Sequence, residues 1–380
     1  MTPEVQTSVV ATVREFCEET EQTRQLSPAV VDVLTRHRLN LIAVAESDHG
    51  LGMSLASMAD LMHNMAYEDA AAAWVLWNAS LVGFYSRYMS SDLKHDLFGS
   101  TTNMFCQSTM PIGEIDLDTH TVSGTWPLVS GCSRADWVIL TCRVQQAGRA
   151  VINSDGSPDT RLVAIPMDQV EVLDTWHTNG LRGTGSHDVS VDSVEAPAHR
   201  VFSLAKTPNR QAPSDYLPIF ASSSVLFAAQ CLGLGQAVLD TSVQRVVNAP
   251  ATSRTHALAE SETFNLAVAS HTGALNASNI LLQAAIQRTD TSASQQTGPS
   301  RADIAALYSA AMQAIASVQR STKQWSNIAG TSALYTTSPL EKRLRDLQAM
   351  ERHIVAHPSF QADTGRVMLN KDPLWPLFLI

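Results

Sequence analysis

The chain has 380 residues, 44% of them hydrophobic and 16% charged, and a formal net charge of −10. That length supports two or three folding units around substantial cores, and the acidic balance disfavours wholesale binding to nucleic acid or to an anionic membrane. Five cysteines, Cys17, Cys106, Cys132, Cys142 and Cys231, form no C-x-x-C pair, which fits a reducing cytosol and argues against a disulfide framework or a Cys-type zinc site.

The opening MTPEVQTSVVATVREF has no basic region ahead of an apolar core and does not read as a signal peptide, so a cytoplasmic protein is expected. Residues 5–22 and 27–38 carry apolar side chains at helical spacing, with Ser27 and Pro28 as N-cap and first helical residue. After a turn at 48–52, residues 55–67 and 70–88 are longer helical runs. The longest apolar stretch, 71–82, is interrupted by Asn78 and Ser80 and is too short to span a bilayer. From Asn103 the texture changes. Residues 119–126, 137–141, 161–166, 170–173 and 189–194 are short, alternating or β-branched runs, as in a small antiparallel barrel or sandwich. Residues 204–217 are polar and proline-containing, a connection into an alanine-rich helical bundle over 220–357 that is interrupted by a loop at 289–300. The apolar tail LWPLFLI reads as packing on a neighbouring subunit.

Residues 180–194, GLRGTGSHDVSVDSV, bring Gly180, Gly183 and Gly185 together with small hydroxyl residues between them. They are not a phosphate loop: Asp188 stands where a dinucleotide fingerprint needs its third glycine, no Lys-Ser or Lys-Thr pair follows, and the next residues alternate like a strand. Without a helix N-terminus behind it, this is a turn entering a strand.

The order of helices, short-stranded β unit and helical bundle resembles the acyl-CoA dehydrogenase superfamily. So do four stretches: LNLIAVAESDHGLGMSL (39–55), GTWPLVSGCSRADWVIL (124–140), DTWHTNGLRGTGSHDVSVDSVEAPAHRVF (174–202) and SPLEKRLRDLQAMERH (338–353). The W-P-x-x-S-G-C and G-L-R-G-T-G-S-H-D stretches are similar to its branch of two-component flavin-dependent monooxygenases, which includes dibenzothiophene monooxygenases and steroid-ring phenol hydroxylases. The resemblance implies an α+β protein with an N-terminal helical domain (1–102), a central small β-barrel domain (103–203) and a C-terminal four-helix bundle (204–380), assembled as a homotetramer.

The resemblance also implies a site. The dehydrogenase branch places a glutamate base eight residues after an Arg-Asp pair; here the pair is Arg345-Asp346 and the matching residue is Ile354, which cannot take a proton. The preceding His353 matches the catalytic base of the monooxygenase branch, a role suited to a group that titrates near working pH. A metal site built on His353 and His357 at i, i+4 lacks a supporting carboxylate pattern, and no metal is expected. Gln107, Ser108 and Thr109 match the loop at the flavin ring edge. Val129 and Ser130 match the strand against the ring, with the Ser130 hydroxyl near N5. Arg254, in a loop, and Gly330, Thr331 and Ser332 match phosphate contacts. Asn78, Tyr85, Leu128 and Trp176 would line the substrate pocket. Leu128 replaces the family's usual aromatic, and the helix over 78–89 lacks the branch's second histidine.

The expected function is that of an oxygenase component. A separate reductase supplies reduced FMN or FAD, and O2 is the co-substrate. A C4a-hydroperoxyflavin passes one oxygen to a small organic molecule. The alternatives are a dehydrogenase acting on an acyl thioester and a flavin-free reuse of the fold.

Overall fold

The computed structural model describes residues 1–250, 254–329 and 333–380. They divide into two compact units. The first comprises Met1–Ser54, Trp74–His177 and Arg182–Ile219; the second comprises Leu55–Ala73, Thr178–Leu181 and Phe220–Ile380.

In the first unit, α1 (Pro3–Glu15) and α2 (Cys17–Thr23) divide the single helix that periodicity predicts, breaking at Phe16 with φ −104° and ψ 13°. Helix α3 (Pro28–Arg36) starts as expected: the Ser27 hydroxyl accepts the Ala29 N–H at 3.2 Å, with Pro28 in the first turn. After α4 (Leu55–Glu68), which belongs to the second unit, α5 (Ala70–Tyr85) crosses to this unit from Trp74 onward. It is buried on every side, so its apolar residues show no preferred face. Helix α6 (Ser91–Phe98) follows, capped by the Ser90 hydroxyl on the Leu93 N–H.

Eight strands follow: β1 (Phe105–Asp116), β2 (Thr121–Val129), β3 (Trp137–Gln146), β4 (Arg149–Ala150), β5 (Thr160–Pro166), β6 (Glu171–Leu173), β7 (His187–Glu195) and β8 (Val201–Phe202). They form one sheet in the order β6-β7-β2-β1-β3-β5-β8, with β4 on β3. All pairs are antiparallel except β1 with β3. In hydrogen-bond terms the expected barrel is a single sheet with β6 and β8 as its two edges. Strand β1 is the one that sequence patterning misses. Its FCQSTMPIGEID does not alternate, carries Pro111 and Gly113, and shifts register against β3 between Ser108 and Gly113. Trp126 fills the resulting gap. Its indole N–H donates to the Thr141 carbonyl at 2.9 Å, and a Cβ on Gly113 would fall 2.1 Å from the ring.

In the second unit, α7 (Ile219–Val247), α9 (Glu262–Ser294) and α10 (Arg301–Ala329) are long; α8 (Arg254–Ala259), α11 (Pro339–Met350) and α12 (Pro358–Met368) are shorter. Helix α9 continues through Ser294, so the predicted loop at 289–300 begins only after it. Gly233 of α7 lets the helix meet α4: a Cβ there would lie 2.1 Å from the His63 carbonyl oxygen. Gly235 approaches Val318 and Leu275. Among the described residues, α7 is the one helix long and apolar enough to cross a membrane, and 94% of that apolar window is buried within the fold.

One further expectation changes here, and one pairing is new. The C-terminal tail packs within its own unit: Phe378 is fully buried and stacks on Tyr308 at 4.0 Å, and Trp375 meets Phe220 edge-on at 4.7 Å. Arg345 and Asp346 do not pair with each other. Arg345 binds Glu341 at 2.6 Å, while Asp346 binds Lys342 at 2.7 Å and accepts the Leu181 N–H at 2.6 Å. Lys342 also binds the buried Asp69 at 2.8 Å. Burial alone would lower its ammonium pKa, but Asp69 and Asp346 together outweigh burial and hold it raised. Gly180 lies against this helix, where a Cβ would meet the Arg345 carbonyl oxygen at 2.3 Å.

Candidate active site

One face of α5 organises the candidate site in the first unit. Trp74 and Asn78 are spaced i, i+4 and so project from the same side. The Trp74 indole N–H donates to the Ser130 hydroxyl at 2.9 Å, and the Asn78 side-chain oxygen accepts the Gln107 main-chain N–H at 3.2 Å. The helix thereby ties down the end of β2 and the start of β1. Beyond Ser130, Gly131 takes φ +83° and its N–H donates to the Thr184 carbonyl at 2.8 Å. A Cβ at Gly131 would lie 2.9 Å from a Val75 methyl, so glycine answers both the backbone angle and the close approach of α5.

The turn Arg182–Thr184 and the start of β7 complete the wall. Ser130 Oγ lies 2.7 Å from Ser186 Oγ, which lies 2.6 Å from Thr184 Oγ1. All three hydroxyls are buried. The glycine-rich stretch that failed as a phosphate loop thus delivers Ser186 to Ser130 and Thr184 to Ser186. His187 Nδ1 accepts the main-chain N–H groups of Thr175 and Trp176 at 3.2 Å each. Burial lowers its pKa, partly opposed by Asp174.

The predicted residues divide by what their side chains face. Gln107 and Ser108 are buried in β1, and the Ser108 carbonyl accepts the Thr141 hydroxyl at 2.9 Å; Thr109 is exposed. Val129 is fully buried within the sheet's core. Leu128 is 59% exposed with φ +60°, a left-handed conformation uncommon for a γ-branched residue, at the register shift between Trp126 and Val129. Tyr85 is fully buried against Phe202, its hydroxyl makes no hydrogen bond, and burial pushes its pKa up. Trp176 spends its indole N–H on the Arg182 carbonyl at 3.1 Å. Trp74, Thr184 and Ser186 were not singled out from the sequence. The signals available were a tryptophan four residues before Asn78 and the hydroxyl residues among the glycines.

His353 lies in the second unit, and α11 ends before it, at Met350. The residue is the N-cap of a single 3-10 turn, Ile354–Ala356. His357 in turn caps α12. The two histidines therefore share no helix face, contrary to the i, i+4 reading. The described residues hold no group of three His, Cys, Asp or Glu side chains that could hold a metal. His353 Nδ1 accepts the Val355 N–H at 3.2 Å, and the ring stacks on Phe227 at 5.4 Å. With Nδ1 accepting, the neutral ring carries its proton on Nε2. Burial lowers the pKa from about 6.5 to about 4, so the ring is neutral at physiological pH. Arg254 is the first residue of α8 and does not lie in a loop; Gly330, Thr331 and Ser332 fall outside the described residues.

Known proteins resemble this chain in sequence and in fold. Residues 225–358 match the acyl-CoA dehydrogenase C-terminal domain. The chain is 25% identical over 362 residues to the indole-3-acetate monooxygenase of Pseudomonas putida, covering 94% of this chain and 90% of that protein. It is also 28% identical over 212 residues to the flavin-dependent monooxygenase oxygenase subunit HsaA of Rhodococcus jostii, 54% of this chain and 53% of that one. The structure of XiaF from Streptomyces sp., in complex with FADH2 and glycerol, superposes with a TM-score of 0.85 over 98% of both chains at 22% identity, a likeness of fold.

Proposed function

We propose that this chain is the oxygenase component of a two-component flavin-dependent monooxygenase, taking reduced flavin from a separate reductase and oxygenating a small organic substrate. The observation that carries this reading is the buried Ser130 hydroxyl at the end of β2. It receives the Trp74 N–H, adjoins Ser186, and has one hydrogen-bonding position left to fill. A flavin ring edge, a row of alternating donors and acceptors, fits that position and the main chain of Gln107, Ser108, Thr109 and Val129. Reduced flavin supplies the electrons that split O2, one oxygen going to substrate and the other to water.

The protein's own residues hold and orient. Trp74 fixes Ser130. Asn78 holds the Gln107 main chain in place, and Leu128 presents an apolar surface that sheds water. Tyr85 and Trp176 contribute shape, since Tyr85 is sealed in the interior and the Trp176 indole N–H is engaged. We assign His353 the acid–base role. In its resting tautomer the neutral ring carries its proton on Nε2. Removing a proton through Nε2 requires moving the ring proton to Nδ1 and releasing the Val355 N–H. Arg254 and residues 330–332 are assigned to flavin phosphate on resemblance alone.

The test is anaerobic mixing with chemically reduced FMN and, separately, FAD, followed by oxygen. Reoxidation slower than that of free flavin, with oxygenated product from an added aromatic compound, is the expected result. Reoxidation at the free-flavin rate, together with bleaching of bound oxidised FAD by an acyl-CoA, would replace this reading with the dehydrogenase one.

A further inference from the structure

We infer that the buried chain Ser130–Ser186–Thr184 is a reversible hydrogen-bond switch that lets one serine serve both redox states of the flavin, with Ser186 and Thr184 as positioning residues. The inference rests on the proposed flavin site. Trp74 Nε1 can only donate, so its 2.9 Å contact occupies one lone pair of Ser130 Oγ permanently. The 2.7 Å contact with Ser186 can run either way. If Ser130 donates to Ser186, which donates to Thr184, a lone pair remains on Ser130 and its open position is an acceptor. If Thr184 donates to Ser186 and Ser186 to Ser130, the Ser130 proton faces outward and the position is a donor. Flavin N5 carries a hydrogen when reduced and is a bare acceptor when oxidised. The two orientations of the chain match these two states without moving a heavy atom. At 5%, 3% and 1% exposure for Ser130, Ser186 and Thr184, bulk water is a poor substitute partner.

The chain makes a directional prediction. In Ser186→Ala, Ser130 loses its inward acceptor, its proton faces outward, and the reduced state loses its partner. In Thr184→Val, nearly isosteric, Ser186 has no Thr184 hydroxyl to donate to and turns its proton onto Ser130, with the same result. The measurement is the dissociation constant of oxidised and of reduced FMN and FAD for the wild-type chain and each variant. The ratio of reduced to oxidised affinity should fall about threefold to tenfold in both variants, the scale of one hydrogen bond. Ser186→Thr should restore it, and the thermal midpoint of the apo protein checks folding. Wild-type binding with ratios unchanged in Ser186→Ala and Thr184→Val would overturn the switch while leaving the flavin site standing. Absence of flavin binding by the wild-type protein would overturn both.

Discussion

His353 shows how a local backbone role constrains chemistry. It caps a turn through Nδ1, stacks on Phe227, and is pushed down to a pKa of about 4 by burial. Its folded value lies below the ordinary 6.5, so between these values the unfolded chain binds the extra proton. Its contribution to stability is complete above pH 6.5 and is lost as the pH falls toward 4. In thermal melts across that window, His353→Asn should flatten the dependence of the midpoint on pH; an unchanged slope would show that this ring does not titrate on unfolding. If it is the acid–base residue, His353→Ala should lower product formation about 100-fold or more while flavin affinity stays near wild type. Leu128 is a second case. Its left-handed angle is strained and its side chain is mostly exposed, so Leu128→Gly should hold or raise the unfolding midpoint yet weaken flavin binding. The sequence identified Leu128 as a departure from the family but not its backbone, because the angle arises from the register shift on β2.

At the scale of elements, caps and periodicity were legible and pairing was not. Ser27-Pro28 starts α3 as read, and β3, β5 and β7 fall on their β-branched runs. Strand β1 escaped because its irregularity is what makes room for Trp126. The candidate wall was half visible for a similar reason. Ser130 stood out in its motif, but its partners come from α5 and the 182–186 segment, brought in by tertiary packing. The Lys342 cluster also joins distant segments. Asp69 and Asp346 are both 1% exposed in their side chains, and one ammonium serves both. Lys342→Met should therefore destabilise the protein by roughly 3–5 kcal/mol in urea unfolding, because it leaves two buried carboxylates without a cation. A loss under about 1 kcal/mol would mean that water already reaches them.

For the whole molecule, the helical, β, helical order was legible because the texture of the sequence changes twice. The regrouping of residues 55–73 with the C-terminal helices was not, since nothing local announces it. We propose that the protein assembles as a homotetramer through its C-terminal helices. Support comes from α9, whose outer face presents Leu266, Gly273, Ala277 and Ile280 at helical spacing with Leu281 beside them; Leu266 is 62% and Ile280 70% exposed. Light scattering should report four chains for the wild type and a smaller species for Leu266→Glu/Ile280→Glu. A wild-type monomer would refute the assembly.

Helix α7 has a consequence for how the protein is made. It is apolar enough to pass for a membrane segment, yet Gly233 and Gly235 press it against α4, α9 and α10. Two of those three partners are encoded after it. At roughly 5–20 residues per second, the ribosome exposes this helix for several seconds before α9 and α10 exist to cover it. During that interval the nascent chain resembles cargo for membrane targeting, and holding factors that bind greasy helices compete with that route. Slowing translation just downstream of α7 should therefore lower the yield of folded protein more than the same pause placed after α10.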